Sequence, residues 1–145
     1  MKTWIFLWSV ASCACAVAGC GGDSAPVVRK GTYTLRLFAP SLAGRRLELK
    51  LREADVSLVL HRYTGSLDPA GQRTITAPTV LEAGRTYWVE YYVDLDGDGS
   101  YTPPSGMGFV DPSWRRIVMA TEEDARAGFS DSATSDDPRL NIAPF

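Results

Sequence analysis

The sequence is poor in the residues that most enzymes and metalloproteins depend on. Its 145 residues include one histidine and three cysteines, and the cysteines, Cys13, Cys15 and Cys20, all lie within the first twenty positions. The usual zinc, copper and haem sites therefore cannot be assembled. A Ser-His-Asp triad would have to use His61, and the Gly-x-Ser-x-Gly elbow that presents such a serine is missing. We therefore expect a protein that is not an enzyme.

An excess of positive charge is also missing. The chain has 15 basic and 17 acidic residues, a formal net charge of −2. Removing residues 1–19 would take away only Lys2, which leaves 14 basic against 17 acidic residues, or −3. Without a basic patch, nucleic acid is not an expected partner. The same removal would leave Cys20 as the single remaining cysteine, so no internal disulfide is expected either.

The one long apolar run lies at the amino terminus. Trp4–Ala18 is interrupted only by Ser9 and Ser12, and it follows a short start that contains Lys2. A run of about 15 residues is shorter than the roughly 20 that a membrane-spanning helix needs. A basic start followed by such a run is instead typical of a secretory signal peptide.

The run ends in Val17-Ala18-Gly19-Cys20, which resembles the lipobox of bacterial lipoproteins. The resemblance implies that residues 1–19 are removed, and that the Cys20 sulfur receives a diacylglyceryl group and becomes the new amino terminus. It also implies a location in the cell envelope, with membrane lipid as a partner. In a Gram-negative host, Gly21 in place of an aspartate implies the outer membrane. An ordinary signal peptide that happens to contain cysteines is the alternative.

Residues 20–31 have the glycine, serine and proline content of a flexible tether, and a single domain is expected over 32–145. Within it, short stretches alternate apolar and polar residues between turn signals: Tyr33–Leu37, Leu47–Leu51, Val56–Leu60, Thr74–Leu81, Tyr87–Asp94 and Trp114–Met119. Leu58 and Leu60 are expected to share the buried face of Leu47–Leu51. Pro78 limits its strand to an edge or a bulge.

Only one short helix is predicted, where Thr121–Asp124 resembles a capping box and Gly128 could end the helix. The polar segment 130–137 is expected to be mobile, and a last strand is predicted at Leu140–Ile142. Seven or eight short strands with so little helix predict an all-β protein. We expect an antiparallel β-sandwich of the immunoglobulin-like or transthyretin-like kind.

The longest strand pattern leads directly into the densest cluster of carboxylates. Tyr87–Asp94 alternates as a half-buried strand does, and Asp94, Asp96 and Asp98 then follow at every second position, with Gly97 and Gly99 beside them. This spacing resembles the Asp-x-Asp-x-Asp-Gly loops of calcium-binding modules. In such a loop Ser100 would offer its backbone carbonyl, and the position of the usual bidentate glutamate holds Ser105.

A later acid would therefore have to complete the shell, and Asp111 is the best placed. With the bidentate ligand missing, we expect weak Ca²⁺ binding, with a dissociation constant on the order of 10⁻⁴ to 10⁻³ M. The alternative is a plain hairpin turn, because Asp-Gly is itself a preferred turn dipeptide.

Two functions from different classes are compatible with these features. The first is a non-catalytic envelope lipoprotein whose β-sandwich binds an envelope protein or polysaccharide. The second is a calcium-stiffened carbohydrate-binding module, which would need an exposed aromatic platform. The candidates for that platform are Trp88, Tyr92, Tyr101 and Trp114. Burial of both tryptophans would exclude the second function.

Overall fold

The computed structural model describes residues 27–56, 58–103 and 111–135. The predicted signal peptide, Cys20 and the strand predicted at 140–142 lie outside these ranges. Within them the chain forms seven strands: β1 Lys30–Phe38, β2 Arg46–Glu53, β3 Val59–Ser66, β4 Gln72–Glu82, β5 Thr86–Asp94, β6 Ser113–Met119 and β7 Phe129–Thr134. A 3-10 turn, Pro40–Leu42, follows β1, and one α-helix, α1 at Glu122–Ala127, precedes β7. No helix in the described ranges is both long enough and apolar enough to cross a bilayer.

The strands form two sheets, in the orders β4-β1-β7 and β3-β2-β5-β6. Every pair is antiparallel except β1 and β7, which run parallel. The prediction of an all-β sandwich with one short helix is therefore confirmed. In an immunoglobulin constant-type domain the first and second strands lie in the same sheet. Here β1 and β2 lie in different sheets, so the strand order is not the immunoglobulin one.

The core lies between the sheets and is built from the inward-facing side chains of both. Its largest fully buried members include Tyr33, Leu35, Leu47, Leu49, Leu51, Tyr87, Val89, Tyr91 and Trp114. The prediction for Leu58 is wrong, because its side chain is 55% exposed. Leu58 lies before β3, in the β2–β3 connection, where its carbonyl accepts a hydrogen bond from Glu53 N at 3.0 Å.

Strand β4 carries Pro78 at the edge of its sheet, as the sequence predicts, since it pairs only with β1. The proline has no N–H to donate, and an edge strand tolerates that loss. The irregularity lies nearby: Thr79 has φ 51°, and the β1–β4 register shifts between Gly31 and Tyr33. Strand β1 begins at Lys30, two residues before the predicted domain boundary.

Two further predictions can be checked after β6. The capping box is confirmed: Thr121 Oγ1 accepts from Asp124 N at 3.2 Å, and Asp124 Oδ2 accepts from Thr121 N at 2.8 Å. The prediction of a mobile segment at 130–137 is wrong for residues 130–134, because strand β7 occupies Phe129–Thr134. Asp131 of β7 is held by Arg116 of β6, with Nη2 to Oδ1 at 2.8 Å, which joins the two sheets.

Candidate metal centre

Residues 94–100 form the acidic loop, and strand β5 holds its first carboxylate in place. The strand lies between β2 and β6, so its backbone is held by hydrogen bonds on both edges. Its last residue is Asp94, which pairs with Arg46 of β2 and is only 2% exposed. The side chain that begins the loop is therefore held in place and largely shielded from water.

The loop then folds around that carboxylate. Gly97 and Gly99 have φ angles of 81° and 82°, in the left-handed region that favours glycine. Their backbone N–H groups point at Asp94: Gly97 N donates to Oδ1 at 2.6 Å and Gly99 N donates to Oδ2 at 2.9 Å. Both oxygens of Asp94 thus hold the turn together.

A second buried carboxylate closes the loop from the other side. Asp111 is 2% exposed and lies just before β6. Its Oδ1 accepts from Leu95 N and its Oδ2 from Thr102 N, each at 2.8 Å. Its own backbone N–H donates to the Thr102 carbonyl at 3.1 Å. Asp111 therefore fastens both ends of the segment that contains the acidic turn.

The structure brings together three of the five residues that the sequence predicts as ligands. One carboxylate oxygen from each of Asp94, Asp96 and Asp111 lies within 4.8 Å of the others. Asp98 is outside this group and is exposed, and its Oδ1 accepts from Ser100 N at 2.6 Å. Ser100 is also exposed, and it contacts the turn through this backbone N–H.

Local hydrogen bonds and charge keep the first carboxylate ionised. Burial acts to raise the pKa of Asp94. The hydrogen bonds from Gly97 N and Gly99 N, the Asp96 side chain and the positive charge of Arg46 together outweigh burial and bring the pKa below its usual value. Each carboxylate has about four lone-pair sites, so the bonds to backbone N–H leave capacity for a cation. The group formed by Asp94, Asp96 and Asp111 could hold a metal ion.

The four aromatic residues predicted as a ligand platform do not form one. Trp114 and Tyr92 are 2% and 1% exposed: Trp114 stacks on Tyr91 in the core at 5.3 Å, and Tyr92 lies under Tyr101 at 5.2 Å. Tyr101 is half-buried, and its hydroxyl bonds to the side chain of Ser113 at 3.0 Å. A sugar ring needs an open aromatic face, which the two buried rings do not offer.

Trp88 is half-buried, and two arginine side chains of the protein lie over its ring. The guanidinium of Arg52 lies 4.2 Å from the ring centroid and that of Arg115 lies 4.4 Å from it. Such contacts are attractive because the aromatic face carries negative charge. A ligand would have to displace both arginines before it could stack there.

A charged cluster that sequence reasoning did not predict lies beside Trp88. Glu90 is fully buried on the outer face of β5 and lies among three cations. Its carboxylate accepts from Arg52 Nε at 3.0 Å and Arg115 Nε at 2.8 Å, and Lys50 Nζ lies 3.3 Å away. Burial acts to raise the pKa of Glu90, but these cations bring it below its usual value. The cluster lies on the outer face of β5, and its arginines lie against the ring of Trp88.

This cluster can be recognised in the sequence only when the register of β5 with its two neighbouring strands is known. Lys50 and Arg115 lie directly across from Glu90 on the two neighbouring strands, and opposite charges in such positions attract. Each residue taken alone is an ordinary charged position on an alternating strand. The pairing that brings them together is a property of the sheet.

Compared with models of known protein families, the chain matches none, and no curated protein matches it either. The fold and the site therefore define its class on their own. It is a seven-stranded β-sandwich over the described residues, and it carries a partly buried group of carboxylates that could hold a metal ion.

Proposed function

We propose that this protein is a non-catalytic lipoprotein of the bacterial cell envelope, anchored by an acylated Cys20 and acting through its sandwich as an interaction domain. The observation that carries the proposal is Val17-Ala18-Gly19-Cys20 at the end of the apolar run Trp4–Ala18. Membrane lipid is then the first partner, and an envelope protein or polysaccharide is the second. In a Gram-negative host the membrane is the outer one.

The position of the acidic loop supports a role in binding at a distance from the anchor. The described chain enters the sandwich at Lys30, opposite Glu82, and β5 begins four residues further on, at Thr86. From there β5 runs nine residues to Asp94, a rise of about 27 Å. The loop therefore lies at the end of the sandwich opposite the anchor, where a partner could reach it.

We propose Ca²⁺ as the ion for this loop. Calcium takes six to eight oxygen ligands in flexible geometry, whereas Mg²⁺ requires a compact octahedral shell and retains its waters. Asp94, Asp96 and Asp111 supply carboxylate oxygens only, which suits a hard cation. Backbone carbonyls and waters would complete the shell, and with three carboxylates we expect affinity in the range of about 10⁻⁴ to 10⁻³ M.

The anchor is tested by replacing the sulfur that would carry the lipid. Cys20→Ser should give a protein that is either unprocessed or released from membranes, and its mass should lack the acyl groups. Cys13→Ser is the matched control, because Cys13 lies in the segment that would be removed and its loss should leave anchoring unchanged. A Cys20→Ser protein that is cut after Gly19 and still sediments with membranes would show that the proposal is wrong.

A further inference from the structure

Exposed large apolar side chains are concentrated at one end of the sandwich. Seven such residues are exposed in the described ranges: Val27, Val28, Phe38, Val56, Leu58, Ile117 and Met119. Only Phe38, at the carboxyl end of β1, lies near the end that carries the acidic loop. The other six lie at or next to the opposite end, and Met119 and Val56 are 75% and 62% exposed.

One strand pairing and one backbone hydrogen bond bring Met119, Val56 and Leu58 to the same end of the sandwich. Met119, the last residue of β6, is opposite Thr86, the first residue of β5. The β2–β3 turn, which carries Val56 and Leu58, lies beside the same point, because Ala54 N donates to the Thr86 carbonyl at 2.9 Å.

The first described residues belong to the same end. Lys30 at the start of β1 forms an ion pair with Glu82 at 3.7 Å, and Arg85 forms one with Glu53 at 3.1 Å. These pairs lie on both sides of the short β4–β5 turn, which passes from one sheet to the other. Val27 and Val28 immediately precede β1, so the segment that leads to Cys20 leaves the domain at this apolar end.

The length of the segment between Cys20 and Val27 limits how far this end of the sandwich could lie from an anchored lipid. Six residues, 21–26, separate Cys20 from Val27, and even a fully extended chain of that length spans at most about 25 Å. A lipid on Cys20 would therefore keep this end of the sandwich within that distance of the bilayer. Such a lipid would therefore be tethered to the end of the domain that carries the exposed apolar side chains.

We infer that this end of the sandwich docks on the lipid bilayer, with Val56, Leu58 and Met119 inserted at the boundary between headgroups and acyl chains. The inference rests on the proposed anchoring through Cys20. An anchor alone would leave the domain free to tumble at the end of its tether. Docking fixes its orientation, and it directs the acidic loop, at the opposite end of β5, away from the membrane.

The charges at this end show which force would hold it there. Five basic residues, Arg29, Lys30, Arg52, Arg85 and Arg126, are accompanied by six acidic ones, Glu53, Asp55, Glu82, Glu122, Glu123 and Asp124. Anionic lipids attract segments with an excess of basic residues, and this end has none. Docking should therefore depend on apolar burial, proceed on zwitterionic lipid, and change little with salt.

The test uses the mature acylated protein, residues 20–145, in phosphatidylcholine vesicles, with one environment-sensitive fluorophore per variant. Residues 21–145 contain no cysteine, so Leu58→Cys, Met119→Cys and the control Phe38→Cys each introduce a single free thiol. All three positions are at least 49% exposed, so labelling should not disturb the core. Probes at 58 and 119 should shift their emission to the blue and be quenched by nitroxide lipids. The probe at 38 should do neither.

Each outcome has a distinct meaning. If the protein is acylated and bound to the vesicles, yet the probes at 58 and 119 emit as they do in water, docking is wrong and the anchor stands. A blue shift without quenching by lipid would also overturn docking, because the end would then be covered by protein, such as a second copy of the chain. If mass spectrometry finds no acyl group and the protein does not bind vesicles, the anchor and the docking both fail.

Discussion

Asp111 accepts a hydrogen bond from the backbone N–H of Leu95 at 2.8 Å, across 16 positions of sequence. Its other oxygen accepts from Thr102 N, so one buried carboxylate joins the end of β5 to the segment that leads to β6. Asp94 holds the turn between them through Gly97 and Gly99. The acidic loop is thus ordered by its own carboxylates, which places their oxygens close together before any ion binds.

The first prediction follows from this bond. In the wild type, each oxygen of the Asp111 carboxylate accepts a hydrogen bond from one backbone N–H. Asp111→Asn replaces one of these oxygens with an NH₂ group, which can only donate. The N–H of either Leu95 or Thr102 therefore loses its acceptor. A buried polar group left without its partner costs about 1–3 kcal/mol, and we expect a loss of that size in the free energy of unfolding measured in urea. Asp98→Asn, at an exposed position, is the control and should change it little. Equal stabilities of the two variants would contradict the role of Asp111.

The second prediction separates the ion site from the turn. Calcium should raise the melting temperature of the wild type, because an ion that binds only the folded state adds about 2.7 kcal/mol at one hundred times its dissociation constant. Asp96→Asn should remove this gain and Asp98→Asn should keep it. Both asparagines retain an oxygen for the local hydrogen bond that each aspartate accepts from the backbone, at 3.2 Å and 2.6 Å.

Thermal melts with calcium at about 10 to 100 mM, one hundred times the expected dissociation constant, with magnesium at the same concentration and with a chelator provide the measurement. Magnesium should give a smaller gain, since it dehydrates reluctantly and requires octahedral geometry. Wild-type curves that coincide with and without calcium would reduce the loop to a hairpin turn. A loss of the gain in Asp98→Asn alone would mean that the wrong carboxylates have been assigned.

The third prediction concerns acid. The pKa values of Asp94 and Glu90 are both lowered in the folded protein, so each carboxylate binds protons more weakly when folded than when unfolded. Their stabilising contribution is therefore fully present above the unfolded values, about 3.9 for Asp and 4.3 for Glu. It is lost as the pH falls through the lower folded values. The free energy of unfolding should thus decrease from about pH 5 downward.

Glu90→Gln makes this prediction specific. The variant leaves Lys50, Arg52 and Arg115 without their shared carboxylate, and breaking a buried ion pair from one side costs about 3–5 kcal/mol. At neutral pH it should be less stable than the wild type, and its stability should fall less steeply between about pH 5 and pH 2. Urea titrations at several pH values measure both. The same acid slope in variant and wild type would show that Glu90 does not contribute to it.

Most of the strands were predictable because their alternation is local. Leu47, Leu49 and Leu51 occupy every second position, and all three are buried. Proline chemistry was enough to place β4 at an edge. Strand β7 was missed because Phe129–Thr134 has only one fully buried residue, Ala133. What orders it is pairing with β1 and the ion pair from Arg116, which are contacts between distant parts of the chain.

The candidate site was predictable only in part. The need for one more acid beyond the turn indicated Asp111, which the structure does place beside Asp94 and Asp96. The direction of each carboxylate was not predictable, because it depends on which backbone N–H the side chain accepts. Asp98 accepts from Ser100 and lies outside the group. Alternation also could not show that Tyr101 covers the outer-face residue Tyr92.

The fourth prediction tests the packing of the two sheets. Leu49→Ala removes a side chain that is 2% exposed in the middle of β2, and it should cost about 2–5 kcal/mol through lost burial and the cavity left behind. Leu58→Ala removes the same atoms from a position that is 55% exposed, and it should cost less than about half a kcal/mol. Equal losses in urea denaturation would contradict the burial of this face of β2.

The last prediction concerns the contact between β1 and the helix. A Cβ on Gly31 would lie 1.9 Å from the backbone oxygen of Asp124 and 3.1 Å from the Ala125 Cα. Backbone atoms cannot rotate out of the way as a side chain can, so Gly31→Ala must displace α1. We expect a loss of about 1–3 kcal/mol, as overpacking usually causes, together with faster hydrogen exchange of the α1 amides. Gly84→Ala is the control.

Gly84 has φ 77° and nothing within 4 Å of its Cβ position, so alanine there introduces backbone strain without a collision. It should lower the free energy of unfolding while leaving exchange in α1 unchanged, because strain in the β4–β5 turn does not press on the helix. The two variants therefore separate a steric contact from a conformational cost. Unchanged exchange in α1 for Gly31→Ala would mean that the helix does not pack on β1 as closely as the structure shows.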